Sequence, residues 1–270
     1  MRKEKGKPFL EVFASALHED YRFPILEIFA FLYALGTFVF ASFVSMISGS
    51  VTGEIIAYGV VSSLLGMPLF IFIILIFKNI AYGLGNDIEK GIIQTYFSYP
   101  LKRRWILSAK LLSALGVALL LFLSIQISAL YLLAPDVVAP YLGTVLLTYA
   151  ASLSFPLQIA GIMLLVTLVL RRGGLALVLG IVLYFALGIV QSLAMFVAYA
   201  TNSPVILQIF SVFSPNVVLG RYYQTYMPFG GSEFWKPVFS EVLLYVGASY
   251  AIVAAIFLVV YLYFSRRFGL

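Results

Sequence analysis

The chain has 270 residues, of which 63% are hydrophobic and only 10% charged, and its formal net charge is +6. A water-soluble domain has about a quarter of its residues charged, so this composition, with a mean hydropathy of +1.06, excludes an ordinary globular fold and reads as a polytopic membrane protein. The absence of cysteine excludes disulfides, thiolate metal sites and a cysteine nucleophile, and the basic excess calls for no nucleic acid, because Lys and Arg retained in cytoplasmic loops account for it.

Residues 1–24 begin with the basic MRKEKGK, but no short apolar core with a small-residue cleavage site follows, so the segment does not read as a signal peptide. Phe9, Leu10, Phe13, Ala16, Leu17 and Tyr21 recur at helical spacing, opposite Glu11, Ser15, His18 and Arg22. That pattern predicts an amphipathic helix lying in the membrane interface. His18, the single histidine, belongs to the polar stripe and reads as a solvated residue. Pro24 suits the first turn of the next helix.

From 25 to 270 the chain reads as one all-α transmembrane domain of six helices, at 25–48, 55–77, 111–134, 141–170, 175–200 and 242–264. Each run exceeds the roughly 20 apolar residues that cross a hydrocarbon core. Pro68 predicts a kink in the second helix, and Pro156 predicts tilting or a break in the fourth, which is longer than a span requires. With the N-terminus inside, residues 1–24, 78–110, 171–174 and 265–270 share the cytoplasmic side. They hold fifteen of the seventeen Lys and Arg residues and leave only Arg221 and Lys236 outside. The expectation is a multi-pass protein of the cell membrane with both termini cytoplasmic.

The longest polar interruption before residue 201 is 83–110, GLGNDIEKGIIQTYFSYPLKRRWILSAK. Asn86 or Asp87 is placed to cap a helix that Gly91 ends. Ile92, Ile93, Tyr96 and Phe97 then recur at helical spacing up to Pro100, which predicts a short amphipathic helix. An apolar stripe on a cytoplasmic connection seeks a groove, either the membrane surface or a protein cleft. Glu89-Lys90-Gly91, then Pro100 nine positions on, the basic pair Arg103-Arg104 and finally Lys110 resemble the cytoplasmic loop of type-2 ATP-binding cassette permeases. That loop reads R-E-x-G-T, a proline, a basic pair and G-K; Ile88, Ile92 and Ala109 stand here where the family favours Arg, Thr and Gly.

The resemblance extends to the layout of interfacial helix, six spans and an interrupted outer segment. It implies the permease subunit of such a transporter, usually an exporter, paired with a second permease copy or a related permease. A separate ATP-binding subunit would carry ATP and Mg, with no cofactor on this chain. The resemblance makes 83–104 the coupling loop and Asp87, Glu89, Gly91, Ile93, Phe97, Pro100, Arg103 and Arg104 its coupling residues. It also brings the N-terminal helix against the ATPase subunit.

The outer segment 201–241 is too apolar for a solvated loop, with Ile206, Leu207, Ile209, Phe210, Val212 and Phe213. Pro204, Pro215, Pro228, Gly230, Gly231 and Pro237 divide it into short pieces, and Tyr222, Tyr223, Tyr226, Phe229, Phe234 and Trp235 fit an interfacial aromatic belt. It reads either as short helices resting on the outer leaflet or as re-entrant helices shielded by protein; the resemblance favours the second.

Catalytic motifs are missing: there is no H-E-x-x-H pair, no phosphate-cradling G-x-x-x-x-G-K-[ST] and no G-x-S-x-G elbow. No ionisable residue stands in the middle of an expected span, which argues against ion-coupled transport. Gln126, Gln158 and Gln191 lie within spans. Hydrogen bonding between helices, worth about 1 kcal/mol or less each, is the first reading of these three, and a substrate path is the second. The rival function is a non-transporting integral membrane scaffold or assembly subunit.

Overall fold

A computed structural model describes residues 7–44, 53–98, 101–225 and 235–267, and every regular element among them is helical. In chain order the helices of six residues or more are α1 (Lys7–Asp20) and α2 (Ile25–Val44), α3 (Gly53–Glu89), α4 (Ile92–Phe97) and α5 (Arg103–Leu133). There follow α6 (Leu142–Leu170), α7 (Gly173–Ala200), α8 (Pro204–Phe213), α9 (Asn216–Gln224) and α10 (Phe239–Arg267). Five of them, α3, α5, α6, α7 and α10, are long and apolar enough to cross a membrane; α1 and α2, bent by 64° at the break between them, add a sixth if they count as one broken span.

Two helices are longer than their apolar runs foretell. The second expected span, 55–77, belongs to a helix that continues to Glu89, and the third begins at Arg103 instead of 111. The cause lies in the residues past Lys78: Ile80, Leu84 and Ile88 repeat every four positions and are all buried, so burial of that stripe carries the helix on. Most of the expected 83–104 loop is therefore helix. Nor does Pro156 break α6, which is continuous over 29 residues. That helix lies between α3 and α10 with Pro156 itself buried, and its neighbours hold it in line.

The core centres on aromatic packing between α2, α3 and α5. Tyr33 meets Phe122 edge-on with centroids 5.9 Å apart, and Phe72 lies 5.1 Å from the same ring. By contrast, large apolar side chains of α7 and α10 point away from the protein, among them Val182, Ile189, Phe196, Leu244 and Leu258. Exposed apolar side chains in that number need an apolar medium or a partner.

The N-terminal helix buries a face slightly different from the expected one. Val12 and Ala16 are each 1% exposed, whereas Leu10 is 60% exposed. The helix packs on the start of α5, where Val12 meets Ile106 and Ala109 with Phe9 and Phe13 on either side. Phe9, Val12, Phe13 and Ala16 share one face at 3–4-residue spacing, and this turns Leu10 outward. Glu11, Ser15, His18 and Arg22 are exposed.

Beyond residue 201, α8 and α9 build a second apolar cluster in which Leu207, Val218, Leu219 and Tyr223 pack with Trp235 and Val242. Tyr226, Phe229, Phe234 and the end of the first expected span, 45–48, lie outside the described residues.

Candidate functional site

Gly91 ends α3. Its φ of +73° lies in the left-handed region, where a Cβ is strained, and the chain turns there into α4. Of the four apolar residues in α4, Ile93 is 3% exposed and joins the main core, to which Phe264 of α10 also belongs. Phe97 meets Phe264 at 6.3 Å between centroids, and the Arg103 guanidinium sits 5.1 Å from the centre of the Phe97 ring. Ile93 and Phe97 of the stripe expected to seek an external groove are thus engaged by the protein's own core, because the reversal at Gly91 folds them onto the end of α10, whereas Ile92 is left outside. What faces outward is Ile92, Gln94, Thr95 and Ser98, alongside Lys90, Lys102, Arg104 and Trp105. Pro100 lies outside the described residues.

Asn86 and Asp87 do not cap a helix start, since both belong to the continuous last turns of α3. Asp87, 1% exposed, instead pairs with Lys110 Nζ at 2.6 Å, and the same ammonium donates to Glu19 Oε2 at 3.1 Å. Lys110 also lies 5.3 Å from the centre of the Tyr96 ring, which ties α4 to the pair. Glu89 is exposed, yet its Oε2 accepts the backbone N–H of Gly173 at 3.0 Å. A carboxylate at that position caps the first turn of α7 and complements its dipole. Close approach of the two backbones makes this possible: a Cβ on Gly173 would stand 2.4 Å from the Ala81 carbonyl oxygen.

Around the Lys110 pair the structure gathers polar residues that lie far apart in sequence. The Ser113 hydroxyl donates to Asp20 Oδ2 at 2.5 Å. Lys78 Nζ donates to the Asp20 carbonyl and to Asn79 Oδ1. Asn79 Nδ2 donates to the Tyr21 hydroxyl at 3.0 Å and to the Ala114 carbonyl at 3.2 Å, while Tyr21 donates to the Ser113 carbonyl. Burial pushes the Asp20 carboxyl up to about 6, against the downward pull of Ser113, Lys78 and Lys110. Three carboxylates, Glu19, Asp20 and Asp87, thereby face two ammonium groups, Lys78 and Lys110, at the junction of α1, α3 and α5.

Both long helices widen at this junction. Asn79–Gly85 in α3 and Leu112–Val117 in α5 are π-helical, a form found mostly as single turns and frequently at functional sites. The carbonyls that accept from Tyr21 and Asn79, those of Ser113 and Ala114, belong to the second of these segments. Sequence reading passes over this cluster, since Lys78 and Lys110 resemble ordinary flanking charges. One signal was available: Asp87 falls on the Ile80–Leu84 stripe and Lys110 on the Ile106–Ser113 stripe, both of them buried. The chemistry of the cluster is that of a latch between helices. Among the described residues no group of three His, Asp or Glu side chains is placed to hold a metal ion.

The three glutamines occupy different surroundings. Gln126, fully buried, donates to Thr37 Oγ1 at 2.9 Å and to the Leu64 carbonyl, and accepts from the Tyr149 hydroxyl. Gln158 donates to Ser249 Oγ at 2.7 Å and to the Phe213 carbonyl, joining α6 to α10 and α8. Gln191, half-buried, lines an open groove with Phe155, Tyr184 and Phe185. A scan of family models, a search of curated proteins and a search of solved structures each return no match to this chain.

Proposed function

We propose that the chain is the membrane-spanning subunit of an ATP-binding cassette transporter, docked through α4 and the start of α5 onto a separate ATPase subunit. The observation that carries this reading is the seating of α4. A six-residue helix lies at the end of the two long helices α3 and α5, fixed underneath by Ile93 and Phe97 and tied through Tyr96 to the buried Lys110 pair. Force applied to its outer face reaches α3, α5 and α1 through packed and charge-paired contacts, as a coupling element requires. The spacing of Glu89, Gly91 and the Arg103-Arg104 pair supports the same reading by resemblance, and the outward apolar faces of α7 and α10 suit lipid.

In this reading the α4 end and both termini face the cytoplasm, and α8 and α9 lie on the outer side as re-entrant pieces before the last span. ATP and Mg reside on the partner. A second permease copy or a related permease completes the pathway, and the direction is export. The docking surface is the outer face of α4 with its basic flank: Ile92, Gln94, Thr95, Lys102 and Arg104. Asp87, Ile93, Phe97 and Arg103 support that surface from behind, and Glu89 ties the end of α3 beside it to α7.

The test is purification of the tagged chain from its native membrane, followed by ATPase assay of the complex in nanodiscs. An ATP-binding subunit is recovered, and Ile92→Asp with Thr95→Asp abolishes stimulation of its ATPase while the thermal midpoint of the chain stays unchanged. Recovery of the chain without any ATPase, or full stimulation by the double variant, overturns the assignment and leaves the non-transporting scaffold.

A further inference from the structure

At the end of the bundle opposite α4 there is an open groove of about 680 Å³ between α3, α6, α9 and α10. Among the described residues its lining has one charged side chain, Glu54, and no basic one. Aromatic rings form one wall. Tyr222 and Tyr223 stand nearly at right angles, with centroids 5.0 Å apart and planes at 74°, and Phe239 lies 5.9 Å from Tyr222. The corner is held in place from behind: Tyr223 stacks on Tyr58 at 4.7 Å and its hydroxyl donates to Thr144 Oγ1 at 3.2 Å. Leu147, Ala150 and Leu243 supply an aliphatic side.

We infer that this groove binds an amphipathic organic cation, with its quaternary ammonium or phosphonium centre at the Tyr222–Phe239 corner beside Glu54 and its apolar body along Leu147 and Leu243. Aromatic rings present negative faces to a cation, and such a contact strengthens where water is displaced. A carboxylate at the rim adds attraction and repels anions. The described lining residues offer an anionic amphiphile no counter-charge, and a neutral one gains nothing from Glu54. Small clefts lined by apolar and aromatic side chains with a few polar groups are the usual form of a ligand site. The inference concerns binding and stands whether or not the chain is a transporter.

The experiment is saturation binding of tritiated tetraphenylphosphonium to the chain in nanodiscs, with empty nanodiscs as background and triphenylphosphine oxide as the neutral probe of similar shape. Saturable binding of the cation is expected, with the neutral probe weaker by about tenfold or more. Glu54→Gln, at an exposed position, weakens the cation by about tenfold and leaves the neutral probe unchanged. Tyr222→Phe keeps the ring and retains binding, whereas Tyr222→Ala loses it; size-exclusion profile and thermal midpoint establish that each variant is folded. Equal affinity for the two probes, absence of saturable binding, or a Glu54→Gln variant that binds the cation like wild type overturns the proposal.

Discussion

Replacing Lys110 by methionine takes one ammonium away from two carboxylates and leaves Asp87, 1% exposed, without its ion-pair partner. Glu19, with its side chain 40% exposed, recovers solvation from water; Asp87 has no such recourse. Removing one member of a buried pair costs about 3–5 kcal/mol, because the remaining charge stays desolvated. At about 2–4 °C per kcal/mol for a chain of this size, the thermal midpoint falls by about 6–20 °C. Asp87→Leu combined with Lys110→Met exchanges the pair for apolar side chains and restores most of the loss, since neither charge is then stranded. Trp105 and Trp235 report unfolding by fluorescence in detergent at fixed pH. A Lys110→Met midpoint within about 2 °C of wild type, or a double variant no more stable than Lys110→Met, refutes the latch.

Asp20 gives the fold a pH dependence whose sign follows from its burial. With its carboxyl raised from 3.8 to about 6, the folded state holds the proton more tightly than the unfolded state. This group's contribution therefore falls as pH rises from about 4 to about 6 and then levels off, a loss of about 3 kcal/mol. Asp20→Asn removes that part of the slope; a variant whose midpoint drops as steeply as wild type over the same range contradicts the assignment. Gly173→Ala places a Cβ 2.4 Å from the Ala81 carbonyl and 2.8 Å from Asn86 Oδ1 and costs about 1–3 kcal/mol by overpacking. Its neighbour Gly174→Ala, with no atom within 4 Å, leaves the midpoint unchanged, and equal effects at the two positions count against the close crossing. Gln126→Leu strands the Tyr149 hydroxyl and the Leu64 carbonyl and costs about 1–3 kcal/mol, measured by the same melt; a neutral result removes Gln126 as the hub of α2, α3 and α6.

The long apolar runs were legible in the sequence because a 20-residue stretch of Leu, Ile, Val and Phe has few other conformations in which to satisfy its backbone. Gly91 was legible as a break for the same local reason. The orientation of α4 was not. Its stripe is the same whether it meets a partner or its own core, and only the position of Phe264, far along the chain, decides. Nor was the charge cluster legible, since Asp20, Lys78, Asp87 and Lys110 become neighbours only when α1 folds against α3 and α5. The unexpected length of α3 has the same origin as the cluster: a helix that stopped at 77 would have left Asp87 in a loop.

The two π-helical turns separate the rotational phase of each helix on one side from its phase on the other. In α3 the buried residues Ile76, Ile80, Leu84 and Ile88 advance by three steps of four, which around a regular α-helix would rotate the stripe by about 120°. The wider turn over Asn79–Gly85 takes up that rotation, so that residues above and below it address the same neighbours. The meeting of Asp87 with Lys110 therefore depends on residue count as much as on residue identity. Deleting a single position within 80–85 swings the whole segment beyond it, Gly91 and α4 included, by about 100° about the helix axis, although every polar side chain of the junction is still present.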